Sequence, residues 1–225
     1  MKGICYMHVS VLEDPELFAK GLSLVSAERR EKVQKLKKLK NPMPARLSLA
    51  AGILLVFAME KCGLGDRRDD IKYQMHGKPY LECSDFYFSL SHSGEYAVCA
   101  YGDVPLGADI QKIKETLPKH TKKILSEEES VFLNSMSEQE RRTAFYQIWA
   151  RKESLIKWDG RGLRIPLHTI SCVKEGQMAE QIKFEGKTLF FGEWNMPAYA
   201  FSVCSEKEFR VDEITEVTTK ILTKY

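Results

Sequence analysis

Thirteen successive residues, Leu47 to Met59, carry no charge and are interrupted only by Ser48 and Gly52. Such a run has to be hidden from water, and it is shorter than the roughly 20 apolar residues a bilayer crossing requires. It therefore reads as a helix, Ala45 to Lys61, buried inside a folded domain. Asn41-Pro42-Met43-Pro44 stands just before it and ends any preceding helix, because proline cannot continue one. With 225 residues, 44% of them hydrophobic and 29% charged, the chain has enough apolar material to surround that helix.

The flanking segments supply the remaining layers. Residues 4–12 alternate and carry β-branched and aromatic types, which predicts an opening strand closed by Glu13-Asp14-Pro15. Ser26 is an N-cap for a helix in which Val33, Leu36 and Leu39 recur at helical spacing. Strand signals follow at Ile71 to Met75, Phe86 to Leu90 and Tyr96 to Tyr101, with turns at His76-Gly77-Lys78-Pro79 and His92-Ser93-Gly94. Gly102-Asp103-Val104-Pro105 marks a boundary. Beyond it come a short strand, Leu106 to Ile110, a Ser126-capped helix, Glu127 to Asn134, and a longer helix, Glu138 to Trp158, closed at Asp159-Gly160. Thr169 to Cys204 is mostly alternating strand, and the polar tail after Ser205 is expected to be peripheral.

Each half thus reads as helices followed by an antiparallel sheet, an α+β fold of two similar subdomains, residues 1–104 and 105–225. The closing strands Tyr96-Ala97-Val98-Cys99-Ala100 and Tyr199-Ala200-Phe201-Ser202-Val203-Cys204 echo one another. Cys5, Cys62, Cys83, Cys99, Cys172 and Cys204 have neither C-x-x-C nor zinc spacing, so they are expected mostly as reduced core thiols. Met1 to Ser10 lacks the features of a secretory signal, and the expected location is the cytoplasm.

Four groups of residues carry chemistry. Arg29, Arg30, Lys32, Lys35, Lys37, Lys38, Lys40 and Arg46 set eight positive charges against one acid, Glu31, between residues 29 and 46. That stretch suits a phosphate-bearing partner, although a solvated helix face would have the same composition. It holds no aromatic residue, which argues against a nucleic-acid module, as does a net charge of only +3. Ser91-His92-Ser93-Gly94 puts a histidine in a turn, where it can donate to an anion. In Pro105-Leu106-Gly107-Ala108-Asp109-Ile110-Gln111, strand alternation puts Asp109 and Gln111 on one side; a surface ion pair is the plainer reading of Asp109. Trp149, Glu153 and Lys157 share one helix side at i, i+4 and i+8, and Glu153 with Lys157 alone reads equally as a helix-stabilising pair.

Together these pieces say more than singly. Ser26 to Lys32 (SAERREK), Gly77-Lys78-Pro79, Phe88 to Gly94 (FSLSHSG), Pro105 to Ile110 (PLGADI) and Trp149 to Lys157 (WARKESLIK), continued by Gly160-Arg161-Gly162-Leu163, resemble the Sfp-type 4'-phosphopantetheinyl transferase family in order and spacing. The likeness spans about residues 26 to 172. It implies a monomeric enzyme of two related α+β subdomains, with coenzyme A and one Mg2+ held between them. The transfer goes to a serine of an apo acyl or peptidyl carrier protein, with release of 3',5'-ADP.

By motif position, Asp109, Gln111 and Glu153 correspond to the metal residues, and Glu153 and Lys157 to the catalytic pair. Arg29, Lys32, Arg46, Lys78, Pro79, Ser91, His92, Lys152 and Lys157 correspond to coenzyme A contacts. Glu129 falls where the family often has another acid. Many relatives carry an acid at the position of Gln111, so the metal site here has one formal charge fewer, which predicts weaker Mg2+ binding with activity retained. That substitution is the one feature favouring the alternative of a non-catalytic coenzyme A or carrier-protein binder on the same scaffold. Carrier proteins of this system are acidic, and the segment from Ile113 to Ser137, with His120, Lys122 and Lys123 beside Leu117 and Ile124, is the expected docking region. No nucleic-acid or membrane partner is expected.

Overall fold

The computed structural model describes residues 2–82 and 84–224, Leu163 without its side chain. Cys83 lies outside the described residues. The chain divides into two compact units, Met1–Gln74 with Pro79–Asp103 and Val211–Tyr225, and Met75–Lys78 with Val104–Arg210.

In the first unit β1 (Gly3–His8) runs into a 3-10 turn, Val9–Glu13, so the opening strand is shorter than its alternation suggests. Asp14 then caps α1 (Pro15–Leu24), accepting from Glu16 N at 2.8 Å, with proline in the first turn where its missing N–H has no cost. α2 (Ala27–Lys37) is capped by Ser26, and α3 (Met43–Lys61) is the buried helix. A two-stranded hairpin, β2 (Ile71–Tyr73) and β3 (Pro79–Leu81), precedes β4 (Tyr87–Ser93) and β5 (Tyr96–Gly102). α3 is, among the described helices, the one long and apolar enough to cross a bilayer, yet Leu49, Ile53, Leu54 and Ala58 are buried in the core of this unit beside Met7, Cys99 and Tyr101.

The second unit opens with β6 (Leu106–Lys112), followed by α4 (Glu127–Asn134) and α5 (Glu138–Asp159), then β7 (Val173–Lys174), β8 (Gln177–Met178), β9 (Gln181–Phe184), β10 (Lys187–Glu193) and β11 (Tyr199–Ser205). Ser126 and Ser137 each close a capping box, with Glu129 and Glu140, and Gly160 ends α5 in the left-handed conformation at φ 91°. The sheet order is β6-β11-β10-β9, antiparallel throughout.

The last segment, β12 (Glu213–Glu216) and α6 (Thr219–Leu222), overturns the peripheral tail and the boundary expected at 105–225. β12 pairs in parallel with β1, giving the first unit the order β12-β1-β5-β4. Val217 and Leu222 are buried in that unit's core. The physical reason lies in β1, which without β12 would expose a row of unpaired backbone groups. Inside this frame the two units share a plan: the opening strand pairs antiparallel with the closing one, which is flanked in turn by the preceding strand, as β1-β5-β4 and β6-β11-β10. Cys5, Cys99, Cys172 and Cys204 are buried and free, and burial pushes the Cys172 thiol up to about 12.

Candidate active site

The site in the second unit begins with a missing side chain. A Cβ built on Gly107 would stand 2.1 Å from Ser154 O and 2.2 Å from Trp158 N, so the backbone of α5 lies directly on β6 at this glycine. Two other small residues continue the contact: Ser154 Oγ is 3.3 Å from Ser202 Oγ, and Ser202 is the register partner of Asp109. We expect Gly107→Ala to destabilise the protein by about 1–3 kcal/mol or more, since a backbone neighbour cannot rotate away. Urea denaturation would measure this, and a loss below about 0.5 kcal/mol would mean that the crossing is not rigid.

That close crossing brings α5 side chains to Asp109. Asp109 is buried, and both of its oxygens are engaged: Lys157 Nζ donates to Oδ1 at 2.7 Å and Gln111 Nε2 donates to Oδ2 at 2.7 Å. Glu153 lies one turn before Lys157 on α5. Burial raises its carboxyl above the usual range, the charge of Asp109 raises it further, and Lys157 and a hydrogen bond from Trp149 pull the other way. Trp149 is itself stacked on Tyr146, ring centroids 5.9 Å apart. Asp109 thus holds Gln111 and Lys157 by hydrogen bonds, and Glu153 lies near enough to feel the charges of Asp109 and Lys157.

Among the described residues no three His, Cys, Asp or Glu side chains gather closely enough to hold a metal by themselves. Asp109, Glu153 and the Gln111 oxygen are nonetheless all hard oxygen donors. Mg2+ is commonly held by one or two carboxylates plus water and substrate phosphates, so the donor set fits that ion. Gln111 presents its amide nitrogen to Asp109, so in this arrangement it orients the carboxylate.

A family model described as the 4'-phosphopantetheinyl transferase superfamily matches residues 105–209, which is nearly the whole of the second unit's main segment. The 4'-phosphopantetheinyl transferase Sfp of Bacillus subtilis is 29% identical over 203 residues, 88% of this chain and 89% of its own. A second Bacillus subtilis 4'-phosphopantetheinyl transferase is 34% identical over 152 residues, 67% of this chain and 66% of its own. The chain belongs to the 4'-phosphopantetheinyl transferase superfamily. The transferase gsp of Aneurinibacillus migulanus is also similar, 33% identical over 133 residues, 58% of this chain and 55% of its own.

Not every expected contact of the transferase is where its motif position suggests. Lys152 is fully buried, and its ammonium donates to Ile124 O at 2.6 Å, Leu167 O at 2.9 Å and Glu129 Oε2 at 2.5 Å. All three protons are engaged inside the core, so Lys152 is a structural cation here and not a pyrophosphate contact. Glu129, also fully buried, accepts in addition from Ser126 N and Cys172 N, both at 2.8 Å. Lys78 donates to two backbone carbonyls of the second unit, Trp158 O at 2.9 Å and Leu106 O at 3.3 Å.

In the transferase's first unit, Arg29 and Lys32 sit three apart on α2. Burial, then the charge of Arg29, lowers the Lys32 ammonium, and Glu28 opposes the shift. Arg29 and Tyr73 also border a small crevice beside Gly52. Arg46 is ion-paired with Glu13 at 2.7 Å. Pro79 opens β3, a strand position that tolerates proline. Ser91 and His92 belong to β4 and not to the turn, which starts at Gly94; as neighbours in a strand they point to opposite faces, Ser91 buried and His92 exposed.

Sequence reasoning missed Gly107, Ser154 and Ser202. An isolated glycine inside a strand pattern is a signal of close backbone approach, and Gly107 carried it.

Proposed function

We propose that this transferase takes its phosphopantetheine from coenzyme A, depends on Mg2+, delivers the group to a serine of an acyl or peptidyl carrier protein and releases 3',5'-ADP. The observation that carries the reading is the convergence of Asp109, Glu153 and Lys157 at the α5–β6 crossing, with Lys157 Nζ 2.7 Å from Asp109 Oδ1. Mg2+, held by Asp109 and Glu153 with Gln111 beside them, would draw off the pyrophosphate's negative charge.

The chain's own residues do the rest. Glu153 takes the proton of the attacking serine hydroxyl as its oxygen bonds to the phosphorus that bears the pantetheine arm. Lys157 offers its ammonium to the phosphate oxygen left with the ADP when the pyrophosphate link breaks. Arg29 and Lys32, on one turn of α2, are the candidates for the 3'-phosphate, with His92 a further donor. The carrier is proposed to dock on the segment from Ile113 to Ser137, where Lys122 and Lys123 are exposed and Leu117 and Ile124 half-buried. The enzyme is proposed to work in the cytoplasm as a monomer.

The test is the intact mass of a purified apo carrier protein after incubation with the enzyme, coenzyme A and Mg2+. One phosphopantetheine group gained, and none when the divalent ion is chelated, is the expected result. Gain that survives chelation would remove the metal from the reading. Tight coenzyme A binding with no gain on fatty-acid or peptidyl carriers would favour the non-catalytic binder.

A further inference from the structure

The Gly77-Lys78-Pro79 element resembles a coenzyme A contact, yet the ammonium of Lys78 is committed elsewhere. Residues Met75–Lys78 group with the second unit although the chain on either side of them belongs to the first. Within that unit Lys78 Nζ reaches Trp158 O and Leu106 O. Trp158 O is among the last carbonyls of α5, which have no partner inside the helix, and a cation there both satisfies an acceptor and complements the helix dipole. Leu106 is the first residue of β6 and the neighbour of Gly107.

These two carbonyls stand on opposite sides of one contact. At Gly107 the strand backbone touches the helix backbone at Ser154, Lys157 and Trp158. One ammonium therefore links the strand that carries Asp109 to the helix that carries Glu153 and Lys157, immediately beside the point where they cross. We infer that Lys78 is a positioning residue that braces the α5–β6 crossing, and so fixes the spacing of Asp109 from Glu153 and Lys157, in place of binding coenzyme A. The inference rests on the proposed metal and catalytic roles of those three residues. Burial of the ammonium agrees with it: desolvation draws Lys78 down to about 8 against the opposing charge of Asp159, as for a cation enclosed among protein groups.

Lys78→Met and Lys78→Arg test the brace through three measurements. The first is Mn2+ affinity by calorimetry without nucleotide, the second 3',5'-ADP affinity without metal. The third is amide hydrogen exchange over Leu106 to Asp109 and Ser154 to Trp158, with β1 and β5 as the internal control. Lys78→Met should weaken Mn2+ binding by about tenfold or more, in line with the effect of residues that orient metal ligands. It should speed exchange at the crossing and not in β1 or β5, lower kcat more than it raises KM for coenzyme A, and leave 3',5'-ADP affinity within about twofold, well short of a lost charged contact. Lys78→Arg, which can still donate to both carbonyls, should recover most of each. Loss of 3',5'-ADP affinity with Mn2+ binding intact would overturn the brace and restore a ligand contact; unchanged exchange at the crossing would overturn it outright. If the wild-type protein bound no Mn2+, the metal reading would fall instead, and the exchange data would decide the brace alone.

Discussion

Glu153→Gln is expected to lower the transfer rate by about 10²–10⁴-fold, the usual worth of a positioned general base, while making the fold more stable at neutral pH. The two effects share one cause. Burial and the neighbouring Asp109 charge raise the Glu153 carboxyl above its ordinary value, which makes its carboxylate a better proton acceptor and its ionised form an expensive one to enclose. For a carboxyl raised on folding, the folded chain binds the proton more readily than the unfolded chain. Its contribution to stability is present in full below the ordinary carboxylate pKa and is lost as pH rises through the raised value.

At neutral pH the ionised Glu153 is therefore unfavourable to the fold, and a neutral glutamine relieves it. Melting temperature in the presence of a chelator should be higher for Glu153→Gln at pH 7, with the advantage shrinking as the solution is made more acidic. A variant that kept a tenth of the activity, or that lost stability at pH 7, would mean that Glu153 is a structural acid. Activity lost without stability separates a catalytic role from a packing one.

The elements that were legible in the chain are those whose ends are written in local chemistry. Ser126 and Ser137, each followed three residues later by glutamate, fix the starts of α4 and α5, and Gly160 fixes the end of α5. The shared side of Trp149, Glu153 and Lys157 was legible too, because helical spacing alone decides it. α1 was not, since Asp14-Pro15 is at once a turn signal and a helix start, and only the packing of Leu17 and Phe18 on the core settles which. β12 was hidden for a related reason: its short, half-exposed pattern acquires meaning only beside β1, some two hundred positions away in the chain. The turn of the separate β7–β8 hairpin falls on Glu175-Gly176 and that of β9–β10 on Glu185-Gly186, and in each a glutamate adopts positive φ, 53° and 47°. Glutamate is a weaker turn signal than asparagine or aspartate at such a position, so the strands between them ran together.

The misplaced Lys152 had a signal of its own. Phe145, Ile148, Leu155 and Ile156 form the buried stripe of α5, and Lys152 occupies the middle of that stripe, four residues from Ile148 and four from Ile156. A lysine there has to find its partners inside the protein, and it finds Glu129, Ile124 O and Leu167 O. Burial lowers its ammonium and the Glu129 charge opposes the shift, so the pair is held together by mutual need. Lys152→Met should destabilise the protein by about 3–5 kcal/mol, because it leaves a buried carboxylate without its cation and two carbonyls without a donor. Lys152→Met combined with Glu129→Gln should recover part of that loss, since glutamine carries no uncompensated charge and its oxygen can still accept from Ser126 N or Cys172 N. Urea denaturation of the two variants measures the loss and the recovery. A single-variant loss under about 1 kcal/mol would place Lys152 among solvent-facing lysines, where ion pairs contribute little. Recovery in the double variant, with coenzyme A affinity unchanged, would assign the lysine beside Glu153 to the frame that carries α5.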